Sequence, residues 1–363
     1  MLVRRLLVVL AIAPALLAAS AWAPLACGGR TELIVDVPID AAVDSVSPPP
    51  DGSIDATMDT TLDAVRDAPA DVVDAPVDVP EEPVPCTTAA DCTSTSYCQV
   101  AACDPKIGCT TTPRSCDDGI VCTDDLCDEK HMRCTHQPDD SKCPDTQLCS
   151  PTRDCDAFVY GVASDGNLYE VRVPSGTLVT VGTPAAFASD IALTADSTLY
   201  ATDTYVLYTL DRSDGTSTAV ASILPLNMYN GLGTVPPSSL YASADAFDIF
   251  SVDQMSGASN IVAPLPANYR SSGDLTTVSG QLFVTLTPTT TGMTDALATV
   301  DLAGQTVTVV GDTGVRCVWG LATLGGTIYG LTCTGAILTI DPMTGASQGL
   351  STVAPAFFGA AGR

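Results

Sequence analysis

Between residues 156 and 363 one phrase returns at a spacing of roughly 40 residues, the interval of a propeller blade. It is an aliphatic–aromatic pair, an alternating stretch, an Asp, and a turn that ends in Gly. It reads Leu168-Tyr169-Glu170-Val171 closing at Gly176, Leu207-Tyr208-Thr209-Leu210-Asp211 closing at Gly215, and Ile249-Phe250-Ser251-Val252-Asp253 closing at Gly257. Weaker copies run through Asp301 to Gly304 and through Asp341 to Gly345. A second strand follows each copy, as in Thr306 to Val310. Alternation of apolar and polar residues is the period of a half-buried strand. One such hairpin cannot bury its own apolar face, so the repeats must stack on one another.

The other half of each repeat lies upstream. Asp190-Ile191-Ala192-Leu193 precedes Leu199-Tyr200, Gly231-Leu232 precedes Leu240-Tyr241, Asp274-Leu275 precedes Leu282-Phe283, and Gly320-Leu321 precedes Ile328-Tyr329. The region opens on Val159-Tyr160-Gly161-Val162, which lacks this first strand, and closes on Phe357-Phe358-Gly359-Ala360-Ala361, which supplies it. Four whole units and one split unit predict an all-β, five-bladed β-propeller over residues 156–363. Six or seven blades are the alternative. Closing the ring with the last strand removes exposed sheet edges. Cys317 and Cys333 bracket the hairpin turn at Gly325-Gly326 and are predicted to pair.

Chemistry-bearing residues are scarce in the propeller. It holds no His, no Lys and a single Glu, Glu170, so no nucleophile–base pair can be assembled. Asp211, Asp253, Asp301 and Asp341 recur at one repeat position, as turn-forming Asx residues do. Asp190 and Asp274, with Asn230 nearby, precede the innermost strands and are expected at the mouth of the central channel. Carboxylates meeting there would hold calcium or act as a glycosidase pair. Propellers of the gluconolactonase type carry a metal in such a place. The quinone-cofactor propellers share the aliphatic–aromatic phrase but carry a Trp in every blade, whereas this region has Trp319 alone; no cofactor is expected.

Residues 86–155 carry twelve cysteines: Cys86, Cys92, Cys98, Cys103, Cys109, Cys116, Cys122, Cys127, Cys134, Cys143, Cys149 and Cys155. Cysteine pairs persist in an oxidising compartment. Once Cys27 is set aside the chain has an even number, consistent with full pairing in an order that spacing leaves open. Large apolar residues are few here, so disulfides must replace a core. Asp117, Asp118, Asp124, Asp125 and Asp128 around Gly119 are candidate oxygen ligands for calcium, or turn formers. His131 and His136 flank Cys134 and could join cysteines on zinc.

The spacing Cys-x5-Cys-x4-Cys, as in Cys116-Asp117-Asp118-Gly119-Ile120-Val121-Cys122-Thr123-Asp124-Asp125-Leu126-Cys127, resembles the cysteine repeat of slime-mould extracellular-matrix proteins and of modules in exported myxobacterial lipoproteins. The resemblance covers these residues only. It implies an extracellular structural or adhesive module.

Residues 27–85 consist mostly of Asp, Ala, Val and Pro, with Asp at every fourth place from Asp51 to Asp71. Like charges at that spacing oppose a helix, and the prolines interrupt one. A disordered acidic tether is expected, spanning about 40 Å as a coil and more when charge and proline extend it. Arg4 and Arg5, the apolar run Leu6 to Ala19 and the small residues that follow make residues 1–26 a secretory signal. Leu25-Ala26-Cys27 resembles a bacterial lipobox, which implies that Cys27 is lipidated; Pro24 departs from the pattern. Cleavage after Ala23, or an uncleaved anchor from Leu6 to Ala26, are the alternatives. Gly28 after the Cys, by enterobacterial rules, implies the outer membrane.

With 15 Lys and Arg against 42 Asp and Glu, the formal charge is −27. Such a chain offers no basic face to nucleic acid. The expectation is an exported, lipid-anchored surface protein with no enzymatic role, whose propeller presents a binding face to a protein or polysaccharide. The alternative is a propeller hydrolase, lactonase or glycosidase, using Asp190 and Asp274.

Overall fold

The computed structural model describes residues 85–244, 248–290 and 292–363. The signal, Cys27 and the acidic tether lie outside the described residues.

The cysteine-rich module is three hairpins in a row. They are β1 (Gln99–Asp104) with β2 (Gly108–Pro113), β3 (Thr123–Asp128) with β4 (Arg133–Pro138), and β5 (Leu148–Ser150) with β6 (Asp154–Asp156). Each hairpin sets two cysteines directly opposite: Cys103 and Cys109, Cys127 and Cys134, Cys149 and Cys155. These partners never bond to each other. The bridges are Cys86–Cys103, Cys92–Cys109, Cys98–Cys127, Cys116–Cys134, Cys122–Cys149 and Cys143–Cys155. Two of them, Cys98–Cys127 and Cys122–Cys149, join successive hairpins, so the units are held to one another covalently. Buried apolar residues in the module are few beyond a small cluster of Cys122, Cys143 and Cys149. Bridges typically contribute about 2–4 kcal/mol each and carry what that cluster cannot.

The propeller begins with β7 (Phe158–Ala163), β8 (Leu168–Arg172) and β9 (Leu178–Gly182). Blade 2 is β10 (Asp190–Leu193), β11 (Leu199–Thr202), β12 (Val206–Leu210) and β13 (Ser217–Ser222). Blade 3 is β14 (Tyr229–Val235), β15 (Ser239–Ala244), β16 (Asp248–Val252) and β17 (Ser259–Pro264). Blade 4 is β18 (Tyr269–Val278), β19 (Gln281–Pro288), β20 (Ala296–Asp301) and β21 (Thr306–Asp312). Blade 5 is β22 (Val318–Leu324), β23 (Thr327–Thr332), β24 (Ala336–Ile340) and β25 (Ser347–Thr352). The last strand, β26 (Phe357–Ala361), pairs antiparallel with β7 and completes blade 1 in the order β26-β7-β8-β9. The ring therefore has five blades and a split first blade. Apolar side chains of adjacent sheets fill the wedges between them, among them Leu207, Tyr229, Leu232 and Leu240 between blades 2 and 3. Cys317 and Cys333 are bonded, and Cys333 N donates to Cys317 O at 3.0 Å.

The repeated Asp residues hold turns. Asp211 Oδ1 accepts Ser213 N at 2.8 Å, Asp253 Oδ1 accepts Ser256 N at 2.7 Å, and Asp341 Oδ1 accepts Met343 N at 2.8 Å.

The module is fixed to the propeller by a buried ion pair. Arg212 and Asp140 are 4 % and 1 % exposed. The guanidinium donates to both Asp140 oxygens at 2.9 and 2.7 Å, to Ser197 O, to Cys149 O and to Tyr160 Oη. All five of its N–H groups are used, so this pair satisfies the condition under which a buried charge is tolerated. Burial, opposed by the Arg212 charge, pushes the Tyr160 phenol up to about 12. Glu170, also buried, takes Arg153 as its partner.

Candidate functional site

In a propeller the innermost strand of each sheet has one paired edge and one edge facing the axis. The axial N–H groups must find acceptors, because a buried unpaired N–H costs as much as a lost hydrogen bond. Here the innermost strands are β26, β10, β14, β18 and β22. At one repeat position they carry Gly359, Asp190, Gly231, Asp274 and Gly320. The next residue in each strand donates its amide to one of the two carboxylates. Ile191 N and Leu232 N reach Asp190 at 2.8 and 2.6 Å. Leu275 N, Leu321 N and Ala360 N reach Asp274 at 2.6, 2.7 and 2.9 Å. Five amides from five blades thus converge on two carboxyl groups.

Both groups are 0 % exposed. Burial, and then the charge of Asp190, push the Asp274 carboxyl well above the usual carboxylate range. Close neighbours leave space only for glycine at the other three places, and at Gly359 the neighbour is the Asp190 carboxylate itself. A Cβ on Gly359 would lie 1.9 Å from Asp190 Oδ1, and one on Gly231 would lie 1.7 Å from Gly273 O.

Asp190 and Asp274, the pair expected at the channel mouth for calcium or glycoside chemistry, are found accepting backbone amides. Asp190 and Asp274 sit inside the channel, where their oxygens are taken up by backbone amides that have no ladder partner. The channel at this level is closed by two side chains. The pattern of two Asp and three Gly at one repeat position was visible in the sequence. What it meant depended on knowing which strand edge faces the axis.

The residues just before this layer form the mouth. They are Ser189, Asn230, Gly273, Trp319 and Phe358. Each innermost strand is bulged here. The register shifts between Tyr229 and Gly231, Ser271 and Leu275, Val318 and Gly320, and Phe357 and Gly359, and in blade 2 Ser189 N joins Asp190 opposite Thr202. A bulge re-aims a side chain beside a site. Trp319 and Phe358 are half-buried and stacked, with ring centroids 5.9 Å apart and planes at 20°. Phe187, 56 % exposed, meets Phe358 edge-on at 5.3 Å. Asn230 stands in blade 3, across the ring from blades 5 and 1, which carry this aromatic pair. It is 8 % exposed, its amide nitrogen donates to Ser271 O at 3.4 Å, and its Oδ1 accepts no hydrogen bond. In the sequence Asn230 stood out beside the carboxylates and Trp319 as the propeller's one Trp, while Phe358 was read only as part of the closing strand. At the other end the innermost strands finish around a cavity of about 80 Å³ lined by Leu193, Thr234, Thr277 and Arg363. The module packs there, with Arg363 donating to Cys143 O at 3.0 Å.

Of the module's acidic candidates, Asp118 and Asp125 gather with His136, one ligand atom of each lying within 4.8 Å of the others, while Asp117 and Asp124 are engaged elsewhere. Asp117 Oδ1 accepts Gly119 N at 2.8 Å, and Asp124 pairs with Lys142 at 2.6 Å. Asp124 and Asp125 adjoin on one strand and so point to opposite faces. Asp118 and Asp125 instead meet His136, at 3.4 and 2.8 Å. His131 pairs with Asp128. Every described cysteine is in a disulfide, as the even count suggested, so none is a thiolate that could join His131 or His136 on zinc.

Fold and site together define a five-bladed propeller with a closed channel and an aromatic mouth, carried on a disulfide-bonded stalk. Seven disulfides are what an extracellular or secreted protein sustains. No protein-family model matches the chain. A stretch of 52 residues is 38% identical to protein psiR of Dictyostelium discoideum, covering 14% of this chain and 5% of that protein. Among solved structures, a putative TolB from Agrobacterium tumefaciens is 17% identical with a TM-score of 0.39, covering 56% of this chain and 81% of its own. A gluconolactonase from Xanthomonas campestris is 13% identical with a TM-score of 0.34, covering 56% of this chain and 87% of its own.

Proposed function

We propose that this is a lipid-anchored protein of the outer membrane or cell surface that binds a protein or glycan ligand and catalyses no reaction. Cys27 holds it to the membrane, the acidic segment spaces it outward, the module serves as a stalk, and the propeller offers the mouth of its channel. The observation that carries the reading is the mouth itself. Half-exposed aromatic rings stand over a channel closed by carboxylates whose oxygens are already engaged. Apolar surface with a few placed polar groups is what a binding pocket needs. The same engagement argues against a hydrolase, which requires carboxylates that reach a substrate.

The test uses cells in which the protein carries Cys27→Ser. The variant is expected to leave the membrane fraction. Once purified and added back to intact cells that lack the protein, it should adhere, and a second variant with Phe187→Ser should adhere at least tenfold less. Unchanged membrane retention of Cys27→Ser contradicts the anchor. Equal adhesion of the Phe187 variant contradicts the mouth.

A further inference from the structure

We infer that the cysteine-rich module holds one divalent transition-metal ion of the zinc class between His136 Nδ1, Asp118 and Asp125, with a fourth position open to a cleft. The site lies in the stalk and does not rest on the reading of the channel mouth as a binding face.

The second hairpin sets the geometry. Asp125 of β3 and His136 of β4 are direct cross-strand partners, so their side chains share a face. Asp118 comes from the turn before β3. The Cys116–Cys134 bridge pins that turn to β4, and Cys134 and His136, two apart on one strand, point the same way. His136 Nδ1 thus lies 2.8 Å from Asp125 Oδ1 and 3.4 Å from Asp118 Oδ2, and the three ligand atoms are within 4.8 Å of one another. Arms of about 2.0–2.2 Å at tetrahedral angles place zinc ligands about 3.3–3.6 Å apart. The Asp118 contact already has that length. The Asp125 contact is a hydrogen bond, which opens by about half an ångström as the ion takes the place of its proton. The imidazole then keeps its own proton on Nε2. Ile120 N and Thr123 Oγ1 donate to Asp118 Oδ1 at 2.9 and 3.2 Å, which leaves Oδ2 turned to His136. Outer contacts of this kind orient a metal's ligands before the metal arrives.

The donor set names the class of ion. Calcium and magnesium take shells of oxygen, whereas imidazole joined to carboxylate suits zinc and its neighbours. Access is open, because the side chains of His136, Asp118 and Asp125 are 34 %, 20 % and 21 % exposed. Asp118 and His136 line a cleft of about 830 Å³ between the module and blade 2, whose walls also carry Asp124, Asp139, Asp196, Asp211 and Asp214. Of the two arginines there, Arg212 is committed to Asp140. A cleft lined by one sign of charge concentrates ions of the other.

His131 and His136 are the only two histidines, so their imidazole proton resonances report each ring separately. The metal-stripped full chain is titrated with zinc, and with calcium as comparison, and followed by those resonances and by calorimetry. One zinc per chain should bind tightly, shifting His136 and leaving His131 unmoved, and calcium should move neither. Loss of one ligand should weaken zinc at least as much as loss of an outer partner does, about 10–100-fold, in His136→Ala and in Asp118→Asn alike. Asp118→Asn keeps Oδ1 for Ile120 N and Thr123 and removes only the oxygen that faces the ion. His131→Ala should bind as the wild type does. Zinc that leaves the His136 resonances unmoved overturns the inference, as does binding undiminished in both ligand variants, or calcium displacing zinc at equal concentration.

Discussion

Ending the chain at Ala356 is expected to cost the propeller most of its stability. The segment removed is short, and a surface tail of that length would cost almost nothing. Here it is β26, the innermost strand of blade 1, paired to β7 through Ala163, Val162, Gly161 and Tyr160. Phe357 is 0 % exposed, Ala360 1 % and Ala361 3 %. Burying a large side chain such as Phe357 contributes about 1.5–3 kcal/mol. Its loss also leaves a cavity, and buried Phe→Ala changes cost about 3–5 kcal/mol. Truncation adds an unpaired edge on β7 and removes the Ala360 amide from Asp274. A domain typically has about 5–15 kcal/mol in all. Urea midpoints for the full and shortened chains give the comparison, with Phe357→Ala as the milder variant should the truncation not accumulate. Equal midpoints would mean the ring closes by some other strand.

Asp274→Ala should be nearly as damaging, with a pH dependence that identifies the cause. It strips the acceptor from three buried amides, those of Leu275, Leu321 and Ala360. A buried donor left unpaired costs about 1–3 kcal/mol, so a loss of about 3 kcal/mol or more is expected where the carboxyl is most favourable. Burial and Asp190 hold the Asp274 pKa above its unfolded value, near 3.9. The folded state therefore binds the proton more tightly. The stability this group contributes is complete below the unfolded pKa and is lost as pH rises through the folded one. Asp295, raised by burial, has the same sign but is common to both proteins. The gap between wild type and variant should be widest near pH 4 and narrow toward neutral pH. A gap that widens with rising pH would contradict a carboxyl raised by its neighbours.

Much of the fold was legible because each blade repeats its own chemistry. The aliphatic–aromatic phrase set the period, and the strandless start at Val159 matched the spare strand at Phe357. The disulfide order was not legible, because cysteines that face each other in one hairpin, such as Cys127 and Cys134, bond to other partners. Asp190 and Asp274 were visible as residues, but the amides they accept were not. A strand pattern tells which face a side chain takes, and not which edge lacks a partner. Arg212 and Asp140 meet across 72 positions of sequence and leave no local trace. Phe187, Trp319 and Phe358 come together only because the ring places three blade junctions side by side.

If the channel is closed and its mouth only binds, no substrate is turned over. The most direct measurement incubates the purified protein, with and without calcium, with cellotetraose, laminaritetraose, maltotetraose and chitotetraose and with a sugar lactone, and follows their masses. Every substrate should be recovered unchanged at any protein concentration. A product heavier by one water or shorter by one ring, formed in proportion to the protein and lost in Asp274→Ala, would contradict it.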